Sequence, residues 1–394
     1  MAEDRPAHLP GYASDAIKAA LLGAGASGTI YSLVMPESEE ALAFVVDGGD
    51  RAEMLGGASE GSGRARLDAE RRDHFLSRYH EPWTQKQDAM HEEYFLGWLD
   101  WAAPIVAFDA AEFPYRYPTA GASEGIFKII AEHLATCRAG GLEPTVDIFE
   151  GEYEGFPAYA DALGLRVVRH DRTDWRRVPE AIDPGALFWI SQPSAIDGAV
   201  WDGFGPFVAA MAAARPQVPV VPDLTYVGSV ARSFRIELAS PNIPAFVISH
   251  SKPFGGYYHR VGGVFARREY PSLFGNKWFK NLQSLAWATE MMKRHDVFAL
   301  PRKYRPVQER ATQRVAALLG IEGLEPADVL LLATAPAAAA GSEALRSVLR
   351  GSRSERVVRL CLTPAMTSLI DPAMAPGTAP ALAAAWAALD RSKD

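Results

Sequence analysis

Cysteine is nearly absent: the 394 residues contain only Cys137 and Cys361, in neither a CxxC pair nor a metal-ligand spacing. That excludes a disulfide framework and a cysteine zinc site, and it fits a reducing, cytoplasmic setting. Basic charge is short as well. The 40 Lys and Arg are outnumbered by 48 Asp and Glu, giving a net charge of −8, whereas nucleic-acid binding needs a concentrated basic face. No run approaches the ~18 apolar residues that a membrane span needs. Met1–Pro10 is polar and acidic rather than basic then apolar, so neither a leader nor a membrane segment is expected. His91-Glu-Glu lacks a second histidine at helical spacing, so no metal site is expected either.

What is present is apolar bulk, 48% of the chain, enough for a large core divided between two or three lobes. The first hundred residues read poorly: a helix at Ser14–Leu22, a glycine-rich turn, an apolar segment at Thr29–Met35 and a small-residue loop around Gly56–Gly63. From about Pro114 onward the pattern changes. Short apolar runs at Thr145–Phe149, Arg166–Arg169, Leu187–Ser191, Val218–Pro222, Phe246–His250 and Gly262–Arg267 alternate with helical periodicity at Glu124–Arg138, Phe156–Leu163, Phe207–Ala214 and Val307–Leu319. That alternation predicts a mostly parallel α/β sheet. Strands at Asp328–Thr334 and Val357–Leu362 around a helix near Ser342–Leu349 predict a small α+β lobe at the end, and Ala335–Ala340 reads as a loop.

The chemistry is densest at Ser249-His-Ser-Lys252-Pro-Phe-Gly-Gly-Tyr-Tyr-His-Arg260, directly after a buried-strand pattern. A lysine among small hydroxyl residues at a strand end, with an arginine eight residues on, suits an anionic aldehyde. Burial beside cations lowers the lysine pKa and favours the neutral, nucleophilic amine. Ser249, Ser251 and Arg260 are then candidates to hold a phosphate. A solvated surface lysine is the plainer reading of any single Ser-x-Lys.

This segment resembles the lysine motif of fold-type I pyridoxal 5′-phosphate (PLP) enzymes, the aspartate aminotransferase superfamily, class I/II branch. Other segments follow in that family's order. Thr119-Ala-Gly121-Ala122-Ser123 resembles its phosphate cradle at a helix N-terminus, although a plain Ser N-cap reads similarly. Val221-Pro-Asp223-Leu-Thr-Tyr226 resembles the Asp-x-x-Tyr element, which implies Asp223 on the pyridine nitrogen and Tyr226 on the ring 3′-oxygen. Phe149-Glu-Gly-Glu-Tyr153 resembles the aromatic segment, with Tyr153 stacking on the ring. Ser191-Gln192-Pro193-Ser194-Ala195 stands where the family carries Asn-Pro-x-Asn-Pro, so Ala195 replaces an asparagine that donates to that oxygen, and Gln192 or Ser194 is expected to take over. Arg356-Val-Val-Arg359 resembles the strand whose arginine clamps the substrate carboxylate, with Arg359 in that position and Arg356 as the alternative.

The resemblance runs from Thr119 to Leu362. It implies an α/β fold: a large domain (76–295) with a mostly parallel seven-stranded sheet flanked by helices, a smaller α+β domain (296–394), and an N-terminal segment (1–75) at the active-site entrance. It also implies a homodimer, an amino-acid substrate and a Schiff base on Lys252. Transamination is the leading expectation. β- or γ-elimination, replacement or cyclisation in specialised (natural product) metabolism, on a substrate such as S-adenosylmethionine, is the alternative, raised by Ala195 and by an aromatic-rich entrance (Trp83, Tyr94, Trp98, Trp101, Tyr115, Tyr117, Tyr257, Tyr258). A residue near Tyr79–Thr84 is expected to reach the partner subunit. His250 and His259 flank the lysine and are read as structural or as substrate contacts. Gly23-Ala-Gly25-Ala-Ser-Gly28 matches a dinucleotide fingerprint, but it follows a helical pattern rather than a strand and reads as a turn.

Overall fold

In the central strands Thr145–Phe149 (β2), Ala186–Ser191 (β4), Val220–Asp223 (β5) and Ala245–Ser249 (β6) every residue is buried, as expected where helices cover both faces of a parallel sheet. Arg166–His170 (β3) instead exposes Arg166 and Arg169, and it lies at the sheet edge. With Tyr115–Thr119 (β1) and Gly262–Ala266 (β7), these strands form one seven-stranded sheet in the order β1-β7-β6-β5-β4-β2-β3. Its pairs are parallel except those that β7 makes with β1 and β6. The computed structural model describes residues 21–33, 35–47, 85–279, 281–339 and 357–370. The expected helix at Ser14–Leu22 falls largely outside these, and the loop at Gly56–Gly63, the Tyr79–Thr84 segment, Trp83, the helix near Ser342–Leu349 and Arg356 fall wholly outside.

The period-2 alternation of strand side chains divides the core. Val146, Ile148, Trp189, Val221, Val247 and Val264 face Ala122–Gly140 (α3) and Gly155–Ala162 (α4). Their neighbours Phe149, Phe188, Ile190, Val220, Phe246 and Phe265 face the opposite cluster, shared with Phe204–Ala214 (α5) and Gln85–Ala102 (α2). Phe246 and Phe265, paired across β6 and β7, stack at 4.8 Å, and Trp98 of α2 lies over both. The aromatics expected at an entrance therefore divide: Tyr94, Trp98, Trp101 and Tyr117 are core. Tyr115 and Tyr258 are exposed, and Tyr257 alone of these lines the cavity described below.

Pro36–Asp47 (α1) and α2 both pack on Leu282–Arg294 (α6). Ala299–Leu319 (α7) begins two turns earlier than its apolar period suggests, because Pro306 lies inside the helix and masks its start. The small lobe is a three-stranded antiparallel sheet of Glu325–Pro326 (β8), Leu332–Pro336 (β9) and Val357–Cys361 (β10), flanked by α7 and Thr363–Ile370 (α8). The expected strand at Asp328–Thr334 starts late for a physical reason. The amides of Val329 and Leu330 donate to the carbonyls of Gly198 and Ser229 in the large sheet's loops, so they are not available to a ladder. The expected loop at Ala335–Ala340 begins as the end of β9 and continues as a 3₁₀ turn at Ala337–Ala339. Thr29–Leu33 belongs to no strand; Ser27 bridges Cys361, and the Tyr31 amide donates to its Sγ at 3.3 Å. No described helix is long and apolar enough to cross a membrane.

Candidate active site

The carboxyl ends of β4, β5 and β6 open on the same side as the N-terminus of α3, where open α/β sheets hold their ligands. A cavity of about 230 Å³ lies there. Asp223 is the last residue of β5 and Ser249 the last of β6; both line the cavity, as do Ser251, Lys252 and Tyr226 from the loops that follow. Ala122 and Ser123 line it from the first turn of α3, Tyr153 from the turn after β2, and Arg260 from the turn before β7.

Two backbone positions of positive φ, Gly121 and Arg260, meet at one end of the cavity. Gly121, at φ +80°, provides no side chain to cap α3, so the first amides of that helix are left to the cavity. Arg260 is the one non-glycine residue with positive φ among the described residues; its guanidinium donates to Ala120 O at 3.0 Å and lies 5.3 Å from the Tyr257 ring centre. A Cβ at position 121 would stand 2.7 Å from Arg260 Nη2. Gly121 is thus not a lining residue but the gap that admits the guanidinium. Gly121→Ala is expected to lower stability by about 1–3 kcal/mol through backbone strain and to displace Arg260. Denaturant titration checks it, and a variant as stable as the wild type refutes the steric account.

Lys252 Nζ donates to the Ile30 carbonyl at 2.8 Å, so the N-terminal segment crosses directly over it. Burial, with help from the Arg359 and Arg260 charges, draws its pKa down to about 8. Asp223 is pushed up to about 6 by burial, against the stabilising N–H and O–H of Thr225, which it accepts at 2.9 and 2.5 Å. At neutral pH Asp223 therefore remains mostly ionised. Tyr153, hydrogen-bonded to the Ser123 side chain, is held as phenol by burial, its pKa near 12. Ser249 Oγ donates to Ser251 Oγ at 3.2 Å, keeping both hydroxyls beside the lysine.

Besides Gly121, two expected residues lie outside the cavity lining, Gln192 and Arg359. Gln192 does not line the cavity: its amide makes a reciprocal pair with the Trp201 main chain at 3.2 Å, so it is spent on holding the turn toward α5. Ser194, the alternative, is also committed, accepting from Arg172 Nη1 at 2.9 Å and from the Ile196 amide at 3.1 Å. Ala195 lines the cavity itself. Arg359 is buried behind the wall, its guanidinium donating to Ala195 O and, at 3.4 Å, to Gly28 O. His250 is structural: it is fully buried, stacks on Phe254, binds the Tyr94 hydroxyl at 3.0 Å and is driven down to about 3. His259 stacks on Trp287 at 4.2 Å. Gly25, at φ +81°, makes the Gly23–Gly28 segment a turn after helix, not a strand-to-helix loop.

Thr29, Ile30, Glu154 and Thr225 line the cavity without having been singled out in sequence. Thr225 has a readable signal, a hydroxyl two residues after a strand-end Asp; Ile30 has none, because it contributes only a carbonyl. A larger groove of about 870 Å³ runs between α2 and α6, but its lysine, Lys293, is exposed and paired with Glu93.

The sequence matches no family model and no curated protein. Its fold does match solved structures. A methionine aminotransferase from Escherichia coli, YbdL, is 16% identical, with a TM-score of 0.61 over 93% of this chain and 98% of its own. BacF from Bacillus subtilis, in its apo form, is 15% identical, with a TM-score of 0.55 over 94% and 99%. A PLP-bound C–S lyase from Staphylococcus hominis, complexed with L-cycloserine, is 14% identical, with a TM-score of 0.50 over 72% and 79%. At such identities what is shared is architecture, and that architecture, with its seven-stranded, mostly parallel sheet, is the fold-type I fold of PLP-dependent aminotransferases and C–S lyases.

Proposed function

We propose that this protein is a PLP-dependent aminotransferase acting on an amino acid, with Lys252 as the residue that carries the cofactor. The observation behind the proposal is one cavity in which a buried lysine of near-neutral pKa lies with an ionised buried carboxylate, a helix mouth without a side-chain cap and an arginine. Those groups fit a phosphorylated pyridine aldehyde. The gap at Gly121 leaves the α3 amides and Arg260 together where a dianion would rest, with the Ser123, Ser249 and Ser251 hydroxyls as further donors. When bound, PLP supplies an electrophilic carbon and an electron-withdrawing ring.

Each residue then has a separate task. Asp223 presents a carboxylate to the ring nitrogen, Tyr226 a hydroxyl to the ring oxygen, and Tyr153 a flat face. Lys252 Nζ gives the covalent anchor and, once displaced from it, takes and returns the substrate Cα proton; a pKa near 8 suits both directions of transfer. Arg359, on the middle strand position of β10, is assigned to the substrate carboxylate, for which its bonds to Ala195 O and Gly28 O are exchanged.

Incubation with PLP followed by borohydride reduction and peptide mapping tests the reading. A pyridoxyl mass on the Lys252 peptide, absent from Lys252→Ala, is the expected result; labelling elsewhere, or none, refutes it. The second reading, elimination or replacement, is favoured by one feature: Ala195 puts a methyl group where the family presents an amide, and Gln192 and Ser194 do not make up for it. Amino acids supplied without an acceptor separate the two. Stoichiometric pyridoxamine phosphate supports transamination, and catalytic release of ammonia or a side-chain leaving group supports the second.

A further inference from the structure

Glu152 is a buried carboxylate, 4% exposed, for which the proposed reaction has no use. It stands immediately before Tyr153 and accepts three donors. The Ser191 amide donates to Oε1 at 3.1 Å, and the Ser191 hydroxyl and the Tyr153 amide donate to Oε2 at 2.6 and 3.3 Å. Ser191 Oγ in turn accepts the Ala195 amide at 2.6 Å. One bonded path therefore runs from Tyr153, on one wall of the cavity, through Glu152 and the end of β4 to Ala195 on another wall. The carbonyl of Ala195 continues it to Arg359.

The turn between Phe149 and Tyr153, with Gly151 at positive φ, is held at its base by the Glu150 amide on His170 O at 2.9 Å and the Glu152 amide on Phe149 O at 3.2 Å; the Glu152 side chain adds the tie to Ser191. A carboxyl group suits the place because its two oxygens accept where the Ser191 amide, the Ser191 hydroxyl and the Tyr153 amide donate. Burial pushes the Glu152 carboxyl up to about 7, against the Ser191 and Tyr153 donors and the nearby charge of Arg172, which is itself held by Asp197 and Ser194. A purely apolar residue at 152 would leave the Ser191 amide and hydroxyl buried without their acceptor.

We propose that Glu152 is a positioning residue, which fixes the Tyr153 ring over the cavity by tying its turn to the Ser191–Ala195 loop. This rests on the PLP reading above, and the test is arranged to fail separately from it. Glu152→Ala, Glu152→Gln and Ser191→Ala are titrated with PLP, recording the affinity, the visible circular dichroism per bound cofactor, which reports how firmly the ring is oriented, and the thermal midpoint.

Glu152→Ala is expected to weaken PLP roughly tenfold, the equivalent of one buried hydrogen bond, and to lose most of the visible ellipticity. Glu152→Gln keeps an acceptor for Ser191 and should recover much of both, and Ser191→Ala should move them in the same direction as Glu152→Ala. Should Glu152→Ala fail to fold, the other two variants decide. Wild-type affinity and ellipticity in the variants, or a fall in thermal midpoint with the ellipticity per bound PLP unchanged, overturns the role of Glu152 alone. Wild-type protein that takes up no PLP overturns the cofactor reading, and this inference with it.

Discussion

Lys252→Met, examined without cofactor, is expected to be more stable than the wild type at pH 7, by roughly 1–3 kcal/mol in denaturant titration. The wild-type ammonium is enclosed, beside the charges of Arg359 and Arg260, and its pKa falls from the ordinary 10.5 to about 8. Below about pH 8 both the folded and the unfolded chain carry the proton, so the folded state bears the full penalty. Between pH 8 and 10.5 the folded chain is neutral while the unfolded one is still charged, and the penalty fades; above 10.5 neither is charged and it is gone. The advantage of methionine, a flexible side chain of similar length, should follow that course and shrink as pH rises. The bond to Ile30 O offsets part of the gain, which is why the expected value lies below the whole shift. The same variant should lose turnover by a factor on the order of 10³ or more, since it has neither anchor nor base. A stability difference that is independent of pH, or a wild type that is the more stable at pH 7, contradicts the burial argument.

Asp223→Asn is expected to retain the fold and lose roughly a hundredfold or more in turnover. The asparagine carbonyl accepts the Thr225 amide and hydroxyl as the carboxylate does, so the strand end keeps its shape. What disappears is the negative charge facing the ring nitrogen. Burial raises Asp223 from 3.8 to about 6, so the charge is present at neutral pH at a cost to folding that applies fully above pH 6 and vanishes below 3.8. The neutral variant should therefore unfold no more easily than the wild type at pH 7 while working far more slowly. Wild-type turnover in Asp223→Asn would remove Asp223 from the site as assigned; a fall in stability matching the fall in turnover would make its role structural.

The parts of the fold that could be read in sequence are those in which one local rule acts alone. Thr145–Phe149 is a short β-branched and aromatic run between turns, and its strand has those bounds. Helix α2 was not read, although its buried Tyr94, Phe95, Trp98, Trp101 and Ala102 recur at helical spacing; exposed Leu96 on the other face lowers the contrast between the two faces. Strand β1 carries Pro118 and begins with exposed residues, which hid an edge strand paired on one side only. Within the cavity, Lys252, Asp223, Ser123 and Arg260 were legible because chemistry requires those side chains at strand ends and helix mouths. That the Gln192 amide turns toward Trp201, outside the cavity lining, could not be seen in a linear alignment.

The sequence by itself determined the alternation of strand and helix and the eight-residue spacing from Lys252 to Arg260, since each is a property of residue types in order. Only the tertiary structure decided that Ile30 covers the lysine, that Gly121 makes room for Arg260, and that Glu152 ties one wall of the cavity to another. Those depend on main-chain carbonyls, on space and on burial, and such quantities arise when segments far apart in the chain are packed together.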